Sequence, residues 1–180
     1  MEKQLALQLE DGVSIPTSPL QFKVEKMSAI NASKLNMKWH SRLPIIDPSN
    51  ITRNTHYVCF GAYYNSVCFA CAIWSSPVAQ NRFTDGKNIL ELRRLAISDD
   101  CPKNTASRFI KIMVLIIKKE MKTINRLISY QDVNVHQGTI YKASGWKPVS
   151  ETKLMDWSNN TRNRNKLQSD AAKIRWELIL

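Results

Sequence analysis

The sequence predicts one α/β domain in which a mixed central sheet of six to seven strands carries helices on both faces. Three observations predict it. With 180 residues the chain is long enough for one real core and too short to expect two. Strand-like and helix-like segments follow one another in the order strand, helix, three strands, helix, strand, helix, strand, basic arm and strand, an alternation that covers a sheet on both sides. The stretch "TASRFIKIMVLIIKKEMK" repeats apolar residues at 109, 110, 113, 116, 117 and 121, the spacing of a helix packed on a sheet, and its length decides for helix over strand.

Taken in order, residues 1–19, with Pro16 and Pro19, form an irregular lead-in. "LQFKVEKMS" places Leu20, Phe22 and Val24 on one face of a half-buried strand. Ser28 then caps a short amphipathic helix that stops by Pro44, because proline disfavours helix in the residue before it. "HYVCFGAYYNSVCFACAIWSS" holds two runs rich in β-branched and aromatic residues around Asn65 and Ser66, which reads as a hairpin with a tight turn. The strand over 88–98 sets Leu92, Arg94 and Ala96 against Glu91, Arg93 and Leu95 if it alternates regularly. After the long helix, "RLISYQD" is a strand and "QGTIYKASGW" a short helix that Gly145 closes in the left-handed conformation. "WKPVSETK" and "KIRWELIL" are the last strands, separated by a basic loop or arm over 156–172.

Hydrophobic content of 43% with 23% charged residues excludes disorder, and no apolar run reaches the roughly 20 residues of a bilayer span. The opening "MEKQLALQLEDG" lacks the apolar stretch of a secretion signal, so a cytoplasmic protein with no membrane partner is expected. Four cysteines are few for a disulfide framework, and buried thiols are expected; Cys68 and Cys71, three apart in a strand, should point to opposite faces and share no metal. Twenty-six Lys and Arg against 15 Asp and Glu leave a net charge of +11, the balance of a protein with a polyanionic partner such as DNA. Residues 158–175 concentrate that charge in Arg162, Arg164, Lys166, Lys173 and Arg175, suited to tracking phosphates. A solvated loop is the plainer alternative.

Ligands of open α/β sheets gather at the carboxyl ends of strands, and Asp132 sits at such an end with His136, Gly138 and Tyr141 close behind. The helix after "PKNT" starts at Asn104 or Thr105; its free amides, with Ser107 and Arg108 in the first turn, make an anion site for a cofactor phosphate or the DNA backbone. Arg94, if turned toward the sheet, demands an anionic partner.

Four segments, "KWHSRLP", "ELRRLAISDDCPKNTASRFI", "LISYQD" and "HQGTIYKASGW", together resemble the bacteriophage Mom family of DNA adenine modification proteins, within the GNAT-like acyltransferase superfamily. The resemblance covers about residues 38 to 147. It implies a single GNAT-like domain over 1–180 that transfers a carbamoylmethyl group to N6 of adenine in double-stranded DNA, shielding phage DNA from restriction inside the host bacterial cell. It also implies a metal, iron before zinc, held by a His and an Asp. Carried over residue by residue, the histidine falls on His40, the strand arginine on Arg94 or Arg93, the aspartate on Asp132 and the tyrosine on Tyr141. Ser41 stands where the family often has Tyr, and "DDCPKNTAS" lacks the Gly-rich pattern of acetyl-CoA users, which leaves acetyl-CoA a possible but doubtful donor. Two schemes stay open for the chemistry. His40 and Asp132 hold a divalent metal, or Asp132 acts as general base with Tyr141 as acid or orienting donor. A conventional acetyl-CoA-dependent N-acetyltransferase and a non-catalytic DNA-binding accessory protein are the alternative functions. The oligomeric state is open, a homodimer included.

Overall fold

The computed structural model describes residues 14–40, 43–152 and 172–180. Seven strands, β1 (Lys23–Met27), β2 (Tyr57–Tyr64), β3 (Val67–Ser75), β4 (Ile89–Ile97), β5 (Arg126–Asp132), β6 (Lys147–Thr152) and β7 (Lys173–Ile179), form one sheet in the order β1-β2-β3-β4-β5-β7-β6. Only β4 and β5 run parallel; every other pair is antiparallel. Helices α1 (Ala29–Trp39) and α2 (Pro48–Thr52) cover one face, and α3 (Thr105–Glu120) and α4 (Thr139–Ala143) the other. The mixed sheet with helices on both faces is therefore as expected; α2, which Pro48 opens and the Asp47 side chain caps, was not foreseen. No helix among the described residues is long and apolar enough to cross a membrane.

Local chemistry accounts for the boundaries. The Ser28 side chain accepts the Asn31 amide at the start of α1. Asn65 and Ser66 both take positive φ, as the tight turn between β2 and β3 requires, and Gly145 at φ 86 lets the chain leave α4. On the α3 side, Phe60, Trp74, Leu90, Phe109, Ile110, Met113, Leu127 and Trp176 form the main core. Under α1 and α2 a smaller core joins Ala32, Leu35, Ile51, Cys59, Cys71 and Ile73.

Of three register shifts among the described residues of the sheet, those in β3 and β4 change the expected alternation. Ala62 pairs with Ala70 but Tyr63 with Cys68, so Phe69 is an extra residue on β3. Consequently Cys68 and Cys71 lie in the same small cluster with Leu35 and Ala96 rather than on opposite faces. All four cysteines are free thiols. The second bulge lies at the candidate site.

Candidate functional site

The ladder between β4 and β5 runs only from Ile89↔Arg126 to Leu92↔Ser129. Beyond it β4 stays with β3 and β5 with β7, so the two central strands part at their carboxyl ends and open a wedge. Of the sequence-predicted residues, Arg94, Asp132 and Tyr141 belong to elements that border this wedge.

Its apex is a short hydrogen-bonded chain. Ser129 Oγ donates to the Leu92 carbonyl at 3.1 Å, on the last paired rung, and Tyr141 Oη lies 2.9 Å from Ser129 Oγ. Because the one Ser129 proton goes to Leu92, the phenol donates to Ser129 and keeps its lone pairs for another donor. Tyr141 reaches the apex because its ring stacks on Trp176 at 5.4 Å and tilts against Trp146 at 5.8 Å. Burial pushes its phenol up, with the Ser129 hydrogen bond opposing, so it stays protonated near neutral pH.

On the β4 wall, Ile73 pairs with Arg94 and Trp74 with Leu92, which makes Arg93 the bulged residue. Leu92 and Leu95 face the main core, while Ala96 joins the cluster beneath α1. Arg94 therefore shares the α1–α2 face with Ala96 and also with Glu91, not with Leu92 as regular alternation implies. Its guanidinium donates to the carbonyls of Arg93 at 2.7 Å and Pro44 at 3.2 Å, and its Nε is buried without a hydrogen-bond partner among the described residues. Burial is the main reason its pKa falls to about 10, Arg93 adding to the fall and Glu91 opposing it. It remains a cation. Glu91 is buried and accepts the Val78 amide at 3.1 Å; burial pushes its carboxyl up, against that hydrogen bond and the charges of Arg93, Arg94 and Lys173.

On the β5 wall, Gln131 turns to the main core, where Trp176 Nε1 donates to its Oε1 at 2.7 Å and its own Nε2 donates to the His136 carbonyl. Alternation turns Asp132 to the opposite, α1–α2 face. Its Oδ1 accepts the Asn134 amide at 2.9 Å, which leaves Oδ2 available. His136 is exposed on the following turn. The glycine of H-x-G-x-x-Y has a packing reason: at φ 72, a Cβ on Gly138 would lie 2.5 Å from both Gln131 Oε1 and Trp176 Cζ2. His40 is the half-buried C-cap of α1, its amide donating to the Asn36 carbonyl at 2.8 Å. Ser41, and with it the missing family Tyr, lies outside the described residues.

Arg94 and Asp132 thus stand on the two walls, and Tyr141 reaches the apex from the other face; His40 belongs to the helix that covers the α1–α2 face. No group of three or more His, Cys, Asp or Glu that could hold a metal occurs among the described residues. His40 and Asp132 are donors of the kind a divalent first-row metal accepts, and no third such donor groups with them among the described residues.

At the start of α3, Asn104 is the N-cap in the left-handed region and leaves its side chain out of the cap. Thr105 is buried, its hydroxyl engaged by the Pro102 carbonyl at 2.7 Å, so it braces the loop. Ser107 Oγ donates to the Asn104 carbonyl at 3.1 Å, and Ser144 of α4 donates to the Ser107 carbonyl at 3.1 Å. The Ala106 and Ser107 amides make no hydrogen bond among the described residues, and the Arg108 Nε is buried without one. Arg162, Arg164 and Lys166 lie outside the described residues. A separate depression of about 520 Å³, lined by Phe83, Asp85, Asn125, Arg126 and Ile179 among others, sits at the opposite end of β5, away from this constellation. Ser129 and the Arg93 bulge were missed from the sequence; only the strand pairing reveals them.

A parallel pair splayed inside an antiparallel sheet, with a helix starting beside the opening, defines the GNAT fold. Solved structures agree: a GNAT family acetyltransferase from Elizabethkingia anophelis with acetyl-CoA bound (15% identity, 89% of this chain and 99% of that one, TM-score 0.60); the ribosomal-protein-S18-alanine N-acetyltransferase from Escherichia coli (13%, 88% and 93%, 0.58); and an aminoglycoside acetyltransferase in complex with coenzyme A and kanamycin (11%, 88% and 94%, 0.61). At these identities the likeness is one of fold. The chain belongs to the Mom protein family, whose model matches residues 21–176. No curated protein matches it.

Proposed function

We propose that this chain transfers a carbamoylmethyl group to the N6 amine of adenine in DNA. The observation that supports the reading is the parting of β4 and β5 after Leu92 and Ser129, with the Tyr141 hydroxyl at its apex, in a chain of the Mom family. The Asp132 carboxylate takes a proton from the N6 amine as its nitrogen attacks the methylene carbon of a carbamoylmethyl donor. The new N–C bond forms as the bond from carbon to the donor's leaving group breaks, and that group departs with the electron pair and takes up a proton from solvent. Asp132 then gives the proton it took to solvent, which closes the balance. Arg94 holds negative charge that develops on the donor. Adenine in a duplex has to leave the stack first, at a cost of a few kcal/mol, which phosphate contacts by the net positive chain offset.

Nucleoside mass spectrometry of DNA from cells expressing the protein tests this. Wild type is expected to yield an N6-carbamoylmethyl adduct, and Asp132→Asn to lower it by about 10² to 10⁴ while duplex binding persists. Unmodified adenine with wild type, or full modification with Asp132→Asn, would overturn the assignment. The free first-turn amides of α3 favour a donor carrying a phosphate; acetyl-CoA carries one but delivers an acetyl group through its carbonyl carbon, so a thermal shift on adding acetyl-CoA together with N6-acetyladenine as product would favour the conventional acetyltransferase instead.

A further inference from the structure

We propose that Arg53 and Arg93, beside the wedge, bind a backbone phosphate of the nucleotide whose base enters it. The inference rests on the DNA reading above and extends it to the subsite that holds the strand.

The bulge is the starting point. Without the extra residue, alternation from Leu92 would turn Arg94 into the main core; with it, Arg93 and Arg94 lie side by side on the α1–α2 face. Arg94 is fastened by two carbonyls, whereas Arg93 has only the Ser75 hydroxyl, at 3.5 Å. The stretch carrying Arg53 is stitched to that same strand end: Ser76 N donates to His56 O at 2.8 Å, and His56 N donates to Ser76 Oγ at 3.2 Å. Arg53 is exposed at the C-cap of α2. The two guanidiniums are close enough that the positive charge of Arg53 lowers the Arg93 pKa, behind the larger effect of burial and against the pull of Glu91.

The acids that face this cluster are Glu91, which is buried and shared among Arg93, Arg94 and Lys173, and Asp47, within reach of Arg53 but engaged by Ser49. Neither forms an ion pair with Arg53 or Arg93 among the described residues. Two like charges gathered over the carboxyl end of β3, next to the apex of the wedge and one of them half-buried, are relieved by a phosphodiester, whose oxygens match the guanidinium fork. Elsewhere in the same sheet the protein neutralises arginine with carboxylate, as at Arg126 and Arg175. Here it does not.

The test is fluorescence anisotropy of a labelled mixed-sequence DNA duplex bound to the full chain across a potassium chloride series. Arg53→Ala and Arg93→Ala should each flatten the slope of log affinity against log salt by about 0.9 and weaken binding several-fold whatever the sequence. Arg93→Lys should restore the slope. Arg53 is exposed, so Arg53→Ala decides even if Arg93→Ala folds poorly; a wild-type slope in Arg53→Ala overturns the site. Nucleoside analysis separates this from the transfer reading. Wild-type slopes in both alanine variants of an adduct-forming protein sink the phosphate site alone, whereas flattened slopes without adduct in the wild type sink the transfer chemistry alone.

Discussion

The same face of the sheet is built in two ways on either side of the wedge. Over β2 and β3 it is apolar, with Cys59, Cys71 and Ile73 packed under Ala32, Leu35 and Ile51. Over β5 and β7 it is charged: Arg126 pairs with Asp85 and Glu177, Arg175 pairs with Glu177 at 2.8 Å, and both guanidiniums lie over the Phe83 ring, at 5.4 and 5.2 Å. An apolar contact is non-directional and tolerates small shifts, whereas a carboxylate shared by two arginines fixes its neighbours in one arrangement. The first half gains stability from burial under helices. The second keeps β7 in register with β5 through directed contacts, and β5 carries Asp132. The opposite face shows no such division, because Trp74, Tyr141, Trp146 and Trp176 continue one core beneath both walls.

Three substitutions test that comparison. Gly138→Ala should act most strongly, since its Cβ meets Gln131 and Trp176 and its φ is left-handed; a loss of about 2–4 kcal/mol in urea denaturation is expected, with modification falling as Tyr141 loses its seat. A wild-type midpoint would show that the junction of α4 with β7 yields freely. Next, Glu177→Ala leaves two half-buried arginines short of a partner and should cost about 3 kcal/mol, whereas Ile73→Val under α1 should cost about 1 kcal/mol. Equal small losses at both positions would erase the distinction between the halves.

The smallest effect is one of pH. Burial raises the Glu91 carboxyl, so the folded state binds that proton more tightly than the unfolded chain does. Its contribution is fully present below the ordinary carboxylate value of 4.5 and is lost as pH rises through the raised value. Wild-type stability should therefore decline relative to Glu91→Gln across that window and level off above it. A pH-independent gap between the two melting curves would show that the carboxyl is not strained by its surroundings.

Most of the elements were legible in the chain because each rests on local physics: Ser28 as a cap, Asn65–Ser66 as a turn, the apolar period of α3 and the left-handed Gly145. The residues from Asp132 to Tyr141 are neighbours in the chain, yet the strand's alternation turns Asp132 to the α1–α2 face while Tyr141 packs in the main core. What could not be read was anything that depends on a partner strand. Regular alternation put Cys68 and Cys71 on opposite faces and paired Arg94 with Leu92, and both readings failed at bulges. A bulge is a property of two strands in register, and a single strand carries no sign of it.

By itself, then, the sequence determined the class of fold, the sign of the protein's charge and the residue types available for chemistry, since composition, hydrophobic period and capping act within a few residues. Tertiary structure alone decided that β7 inserts between β5 and β6, that β4 and β5 part after Leu92 and Ser129, and that two arginines turn to one face. Those outcomes depend on which hydrogen-bonding edges meet and how side chains far apart in the chain fill one core, and such long-range packing leaves no local periodicity to read.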